Sequence, residues 1–286
     1  VTAGDYQGVY VLMEKIKRGS DRVDIEVLRP SDATSPRITG GYIVKIDRLD
    51  PGDVGFTTTR GQQIAYVEPK EQEVTPAQSA YIKSYFDQFE TALFGTNFRN
   101  PDTGYAKFID VDSWVDHFLL VELTKNIDGF RLSTFMHKDR EGKVAMGPAW
   151  DYNLTLGNAN YLLGYDPTGW YYTQSDFPWW ERLFQDGDFQ QKFIDRWGTL
   201  RKAILAKDRL LAGGGPHATL LAESQVRNYQ KWPILGSYVW PNWFIGQTYS
   251  EELNFMKGWI DDRLDWIDSL YVVAPRLARE GGQINP

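Results

Sequence analysis

A strand-turn-strand pattern between two aspartates constrains the fold of this chain more than any other stretch. Residues 132–138 are rich in β-forming side chains, residues 139–142 are polar and end in glycine, and residues 143–149 return as a second strand. This order predicts a β-hairpin. Asp128 precedes it and Asp151 follows it at nearly equal distances, so we expect both carboxylates at the open end of the hairpin.

Two converging carboxylates repel each other unless a cation lies between them or one of them is protonated. The chain has no cysteine and only three histidines, which argues against zinc or another soft metal. Oxygen ligands favour Mg²⁺, Mn²⁺ or Ca²⁺ instead. A structural alternative stays open at this point, because aspartate is common in turns and at helix N-caps, and Asp128 and Asp151 fit those positions.

Composition excludes several other classes of protein. With 286 residues, of which 42% are hydrophobic and 15% aromatic, the chain is long and apolar enough for a globular protein of one large domain or two small ones. The net charge of −7, with both signs interspersed, leaves no basic face for nucleic acid. No apolar run approaches the roughly 18 residues that a bilayer requires, so no transmembrane segment is expected.

The segments around the hairpin resemble a known family. Residues 122–133 read ELTKNIDGFRLS, and residues 147–158 read GPAWDYNLTLGN. Three further segments belong to the same pattern, namely YQGVYVLME at 6–14, GYIVK at 41–45 and WWERL at 179–183. Together they resemble the core of the CotH kinase family, the spore-coat protein H type of atypical protein kinase. The resemblance covers most of the chain.

This resemblance implies a fold and an activity. The implied fold is α+β and atypical protein-kinase-like, with a reduced antiparallel N-terminal sheet layer, a larger helical C-terminal lobe and the β-hairpin at the cleft. The implied activity is transfer of the γ-phosphoryl of ATP, with Mg²⁺ or Mn²⁺, to Ser/Thr hydroxyls of a secreted or surface protein. On this basis Asp128 is expected to be the catalytic base and Asp151 the metal ligand.

Three residues are candidates for binding the nucleotide. A kinase needs a cation near the phosphates, and Lys45 on a predicted strand is our candidate, although a solvated strand lysine fits the pattern as well. Tyr42 is a candidate to stack on the purine, with a core or surface position as the alternative. Asn126 reaches the site together with Asp128, and Glu122, one helical turn earlier, is placed to orient it.

The second metal ligand departs from the family pattern. Many members carry a second acid where this chain has Asn153, and a standard kinase loop has asparagine where this chain has Ser133. An amide oxygen ligates Mg²⁺ without adding charge. We therefore expect Asn153 or Asn158 to supply the missing oxygen.

In this interpretation the chain divides into an N-terminal β-rich lobe (1–74), a helical lobe that carries the hairpin (75–273) and a tail or linker (274–286). Alternating residues predict three N-terminal strands, at 6–16, 21–28 and 38–46. Capping signals and helical periodicity predict helices at 75–95, 110–122, 175–185, 188–206, 218–232 and from 248 onward, with a break at the glycines of 213–216.

Two further expectations concern the start of the chain and its biological setting. Residues 1–6 read as a hairpin turn without its first strand, and the basic segment that family members carry upstream has no match here, so we expect a truncated N-terminal lobe and other modules in a longer chain. The resemblance implies an extracellular, cell-surface or spore-surface location.

Two rival functions remain open. One is an inactive kinase-like module that binds protein or carbohydrate through its aromatic surface, which the eleven tryptophans and the aromatic stretch 158–174 favour. The other is a glycoside hydrolase with a carboxylate pair, which ranks lower because both acids lie at one end of one hairpin.

Overall fold

A computed structural model of the protein describes residues 5–70, 72–174 and 177–271, together with the backbone of 276–277 and 284–285, and only the backbone of 213–216. The predicted hairpin turn before residue 5, the first two residues of the helix predicted at 175, and most of the predicted tail lie outside the described residues.

In the described part of the chain, five strands form one antiparallel sheet in the spatial order β2-β3-β1-β4-β5. They are β1 (Tyr42–Ile46), β2 (Gly55–Thr57), β3 (Gln63–Glu68), β4 (Thr134–Lys138) and β5 (Val144–Met146). Two short strands near the C-terminus, β6 (Arg276–Leu277) and β7 (Ile284–Asn285), pair only with each other.

Six α-helices accompany the sheet within the described residues. They are α1 (Pro76–Phe94), α2 (Val111–Thr124), α3 (Pro178–Leu183), α4 (Gly187–Arg201), α5 (Lys207–Lys231) and α6 (Tyr249–Tyr271). The predicted α+β class is confirmed. None of these helices is both long and apolar enough to cross a membrane.

The predicted hairpin is confirmed, and it forms part of the main sheet. Met136 of β4 pairs with Met146 of β5, and the turn closes with the Gly142 N–H donating to the Asp139 carbonyl at 3.1 Å. On its other side β4 pairs with β1, where Val44 lies opposite Met136. The segments that carry the two aspartates therefore leave the sheet from the same end of this hairpin.

The prediction of strands at 6–16 and 21–28 was wrong. Neither stretch forms a strand, and an isolated bridge between Arg18 and Val23 is the pairing that the structure shows there. The alternation at 21–28 has another cause, because Val23 and Ile25 pack against Ile43 and Phe135 on one face of the sheet. In the stretch 48–73 the sequence predicted one strand, at 63–67, and β3 confirms it, whereas β2 was not predicted.

The predicted starts of α1 and α2 are confirmed, whereas α3 begins at Pro178 and not at 175, and α5 begins at Lys207 and not at 218. The Thr75 hydroxyl accepts from the Gln78 N–H at 3.3 Å, and the Gln78 side chain accepts from the Thr75 N–H at 3.0 Å, which completes the predicted capping box of α1. Asp110 caps α2 as expected. The predicted break at 213–216 was wrong, because α5 runs through it while packing along α6. Tertiary packing overrides such local propensity costs.

Candidate active site

Asp128 lies in a tight turn that begins where α2 ends. Lys125 takes a left-handed conformation (φ 47°) and turns the chain away from the helix. Asn126 is fully buried, and its side-chain oxygen accepts from the Asp128 N–H at 3.1 Å. Arg131 then pairs with the Asp128 carboxylate at 2.6 Å. The Asp128 side chain, 16% exposed, is thus held at the surface of the core with one oxygen ion-paired.

Asp151 follows β5 and has an exposed carboxylate. Its backbone is left-handed (φ 60°), and so is that of Ser133 (φ 51°), just before β4. The Ser133 hydroxyl donates to the Asp151 carboxylate at 3.3 Å, across the open end of the hairpin. Left-handed residues other than glycine cost about 1 kcal/mol each and cluster at functional sites. The hairpin therefore brings Asp151 against the strand that follows the Asp128 turn.

The two loops that carry the aspartates also meet through a buried polar contact. Asn126 precedes Asp128 and Tyr152 follows Asp151, and the Asn126 nitrogen and the Tyr152 hydroxyl are both buried without a hydrogen-bond partner among the described residues. Burial raises the pKa of Tyr152 to about 12, and the neighbouring Asn126 amide opposes that rise. The Asn126 side chain thus acts on the Tyr152 hydroxyl, and this contact links the loop of Asp128 to the loop of Asp151.

A cavity of about 490 Å³ opens beside Asp151. One wall is formed by residues 148–152, and the other by residues 13–17 and 21–23 of the N-terminal segment. Lys15 and Lys17 on this second wall are exposed, and neither forms an ion pair in the described part of the chain. Arg22, in contrast, pairs with Glu14. The cavity thus combines a free carboxylate on one wall with two free lysines on the other.

The structure does not bring Lys45 to this cavity. Its ammonium group lies 3.0 Å from an Asp53 carboxylate oxygen and 3.9 Å from an Asp47 oxygen. The Lys45 ammonium lowers the pKa of the Asp53 carboxyl through a hydrogen bond. The two side chains therefore neutralise each other as an ion pair. Lys45 was chosen from the strand pattern alone. That pattern does not indicate this ion pair, because Asp53 lies in the loop that follows β1.

Tyr42 is a core residue, so the expectation that it stacks on a purine needs correction. Its side chain is fully buried, and its hydroxyl donates to the Ile38 carbonyl at 2.9 Å. The ring stacks on Tyr81 of α1 with centroids 6.2 Å apart. Burial raises the pKa of Tyr42, which is consistent with a phenol enclosed by protein.

The two asparagines proposed as metal ligands differ in position. Asn153 is exposed two residues beyond Asp151, on the loop that leaves the cavity. Asn158 is engaged in the protein, because its nitrogen donates to Asn242 at 3.2 Å and its oxygen accepts from the Trp243 N–H at 3.1 Å. Of the two amides, Asn153 is the one placed to add an oxygen near Asp151.

Magnesium fits this donor set better than a metal that needs an all-protein cage. Among the described residues, no three His, Asp or Glu side chains gather closely enough to hold a metal ion. Mg²⁺ usually takes only one or two carboxylates and completes its shell with water and phosphate oxygens. Asp151 supplies one exposed carboxylate, and Asn153 an amide oxygen, beside a cavity of nucleotide-binding size.

Glu122 belongs to a buried charge cluster that sequence analysis missed. It was expected to orient Asn126, but its carboxylate accepts from the Tyr171 and Tyr172 N–H groups at 2.9 and 2.8 Å and pairs with Arg263 at 3.1 Å. Burial raises the pKa of Glu122, while Arg263 and these two N–H groups oppose the rise. The cluster fixes the loop around Tyr171, whose hydroxyl donates to the carbonyl of Ile127.

His117 is a second buried support of the Asp128 turn. Its ring donates to the Gly129 carbonyl at 2.8 Å and stacks on Trp180 with centroids 5.4 Å apart. Burial lowers the pKa of His117 to about 4, and the Gly129 contact opposes this. The folded protein therefore holds this histidine neutral at pH values where the unfolded chain takes up a proton.

We expect acid to destabilise the fold through His117. Between pH about 6.5 and about 4 the unfolded chain binds a proton that the folded protein rejects, so the free energy of unfolding falls as pH falls, by at most about 3 kcal/mol. Urea unfolding at pH 7.5 and at pH 5 measures this loss. His117→Gln keeps an N–H donor without a titrating ring and should flatten the dependence, whereas His217→Gln, on an exposed residue of α5, should leave it unchanged. Equal pH dependence in wild type and His117→Gln would contradict the assignment.

The arrangement defines a class of site, in which the Asp151 carboxylate lines a cavity with two lysines on its opposite wall, and the Asp128 carboxylate lies at the same end of the hairpin outside that cavity. A family model described as CotH kinase protein matches residues 1–267, so the chain belongs to the CotH kinase family. The family indicates a kinase-like function. No individually curated protein matches the chain.

Proposed function

We propose that this protein transfers the γ-phosphoryl group of ATP to Ser/Thr hydroxyls of a protein substrate, with Mg²⁺ or Mn²⁺ as the metal. The family supports a kinase, with ATP and a divalent metal. The observation that carries the proposal is the cavity beside Asp151, because it brings an exposed carboxylate together with two lysines that form no ion pair with any residue that the structure describes. A metal-binding carboxylate and cations for phosphate are the two requirements of such a site.

Within this cavity the phosphates would lie between Lys15 and Lys17 on one side and Asp151 on the other. Lysine ammonium groups bind phosphate as point charges. Asp151 and Asn153 would hold the Mg²⁺ ion, which would supply positive charge to offset that of the phosphate oxygens. Lys15 and Lys17 take over the role first assigned to Lys45, which Asp53 already neutralises.

Asp128 would act on the acceptor. The substrate hydroxyl oxygen forms a bond to the γ-phosphorus, the bond from this phosphorus to the bridging oxygen of ADP breaks, and the hydroxyl proton passes to the Asp128 carboxylate. Arg131 binds one oxygen of this carboxylate, and Asn126 fixes the Asp128 backbone through its N–H. Such positioning is a large part of what a phosphoryl-transfer enzyme supplies.

An inactive kinase-like module is the second candidate function. It is favoured by two departures from the family pattern, Asn153 in place of an acid and Ser133 in place of an asparagine. Both proposals place the protein outside the cell or at a cell or spore surface, because the CotH family is associated with spore coats. Nucleotide binding together with transfer separates the two candidates.

A calorimetric titration with ATP, with and without Mg²⁺, tests the proposed site. Wild-type protein is expected to bind ATP at least tenfold more tightly with the metal. Asp151→Asn should remove this gain, about 1.4 kcal/mol or more, because it keeps the shape but loses the charge. Asp195→Asn, on an exposed face of α4, is the matched control and should bind as wild type. Metal-independent affinity in wild type, or an unaltered Asp151→Asn, would refute the site.

A further inference from the structure

One surface segment has the composition of a protein interface. The tryptophan segment, residues 232–246, contains no Asp, Glu, Lys or Arg, in a chain that is 24% charged. It exposes seven large apolar side chains, namely Trp232, Ile234, Tyr238, Val239, Trp240, Trp243 and Ile245. Depletion of charge and enrichment in aromatic residues mark the centres of protein interfaces.

The tryptophan segment is held in place by the loop that follows Asp151. Tyr165 stacks on Trp243 with centroids 3.8 Å apart and planes inclined by 14°, and Tyr161 stacks on Trp240 at 6.0 Å and 11°. The backbone N–H of Asn160 also donates to the Pro241 carbonyl at 2.9 Å. Exposed rings that are already fixed lose little conformational entropy when a partner binds.

This surface is continuous with Asp128. Arg131 binds the Asp128 carboxylate at 2.6 Å, and both side chains act on the ring of Tyr161. Burial raises the pKa of the Tyr161 phenol, the Asp128 charge adds to the rise, and Arg131 opposes it. Tyr161 thus stacks on the exposed Trp240 and lies close enough to Asp128 and Arg131 for their charges to act on its phenol. A chain that presents a hydroxyl to Asp128 would extend over the tryptophan segment.

We infer that the tryptophan segment binds the substrate polypeptide next to its acceptor hydroxyl and selects sites flanked by apolar or aromatic residues. The inference rests on the proposed function. A charged flanking residue would lose hydration on this surface without gaining an ionic partner, so it is selected against.

The composition of the surface favours a polypeptide over a carbohydrate. Aliphatic Ile234, Val239 and Ile245 share the surface with the aromatic rings, and they offer no hydrogen bonds to sugar hydroxyls. Two side-chain amides beside the rings already form hydrogen bonds within the protein. The Asn160 side-chain nitrogen donates to the Tyr238 hydroxyl at 2.8 Å, and the Asn158 side-chain nitrogen donates to the Asn242 side chain.

Two fluorescein-labelled peptides of equal length test the inference by fluorescence anisotropy. Both carry a central serine; one is flanked by leucine and phenylalanine, the other by glutamine and glycine. Wild-type protein should bind the apolar peptide at least tenfold more tightly. Trp240→Ala and Trp243→Ala should each weaken the apolar peptide about tenfold, as truncated aromatic anchors do. Leu220→Ala, which truncates an exposed apolar side chain on α5, is the control and should bind as wild type.

Other outcomes decide against the inference. Equal affinity for the two peptides, no binding of either, or wild-type affinity in both tryptophan variants would overturn it, as would binding of a cellulose or chitin oligomer in place of both peptides. Far-ultraviolet circular dichroism shows whether each variant is folded. Mg²⁺-dependent ATP binding should be the same in Trp240→Ala as in wild type. That readout separates the two ideas, because metal-dependent ATP binding and transfer by wild-type protein test the proposed function, whereas peptide selection tests only the inference.

Discussion

Replacing Asp128 by asparagine is expected to slow phosphoryl transfer by about 10²- to 10⁴-fold, the usual contribution of a positioned acid or base. Asparagine fills the same volume and can still accept from Arg131, but it cannot take up the hydroxyl proton. Asp128 does not line the cavity beside Asp151, so Mg²⁺-dependent ATP binding should stay within about threefold of wild type. The defect should therefore appear in kcat.

Transfer from γ-labelled ATP to dephosphorylated casein provides the measurement, with ATP affinity determined on the same samples. Asp195→Asn again serves as the control for a lost carboxylate on the surface. A wild-type transfer rate in Asp128→Asn would remove Asp128 from the mechanism. Loss of ATP binding in the same variant would show that this side chain supports the nucleotide site instead.

Replacing Arg263 by methionine is expected to lower the free energy of unfolding by about 3–5 kcal/mol, because it leaves a buried charge without its partner. Arg263 and Glu122 are both fully buried. The guanidinium donates to the Glu122 carboxylate and backbone carbonyl, and to the carbonyls of Pro167 and Gly169 at 2.9 and 2.7 Å. One substitution therefore removes the ionic partner of the Glu122 carboxylate and a hydrogen-bond donor from three carbonyl groups.

Urea unfolding with a double variant shows whether the unpaired charge causes this loss. Glu122→Gln combined with Arg263→Met should recover at least about 1 kcal/mol relative to Arg263→Met alone, since position 122 then no longer carries a carboxylate without its ionic partner. The control is Arg227→Met, which breaks a surface pair with Glu223 on α5 and should cost less than about 1 kcal/mol. A similar cost for Arg263→Met and Arg227→Met would contradict the account of the cluster.

Local signals in the sequence predicted the parts of the fold that depend on neighbouring residues. The hairpin with its turn at Gly142 and the start of α1 at Thr75 both follow from side chains within a few residues of each other. The stretch around Val23 shows the limit of such signals, because its alternation reflects packing against a sheet face and not pairing within the sheet.

Of the candidate site, the sequence predicted only the residues that match the family pattern. Asp128 and Asp151 were proposed from their place around the hairpin and from the family resemblance, and their roles stay predictions, while the choice of Lys45 did not foresee its ion pair with Asp53. The pairing of Glu122 with Arg263 joins residues 141 positions apart, and no local signal in the sequence indicates it. A tyrosine is compatible both with a ligand-binding position and with a core position. Only the fold therefore decides which role Tyr42 has.

The central claim is that Asp128 and Asp151 serve one phosphoryl-transfer site, and the rates of four proteins test it most directly. These are wild type, Asp128→Asn, Asp151→Asn and the double variant, each assayed for transfer of label from γ-labelled ATP. Residues that act as a unit are not additive, so the double variant should be about as slow as the slower single variant. No transfer by wild-type protein, or losses that multiply in the double variant, would contradict the claim.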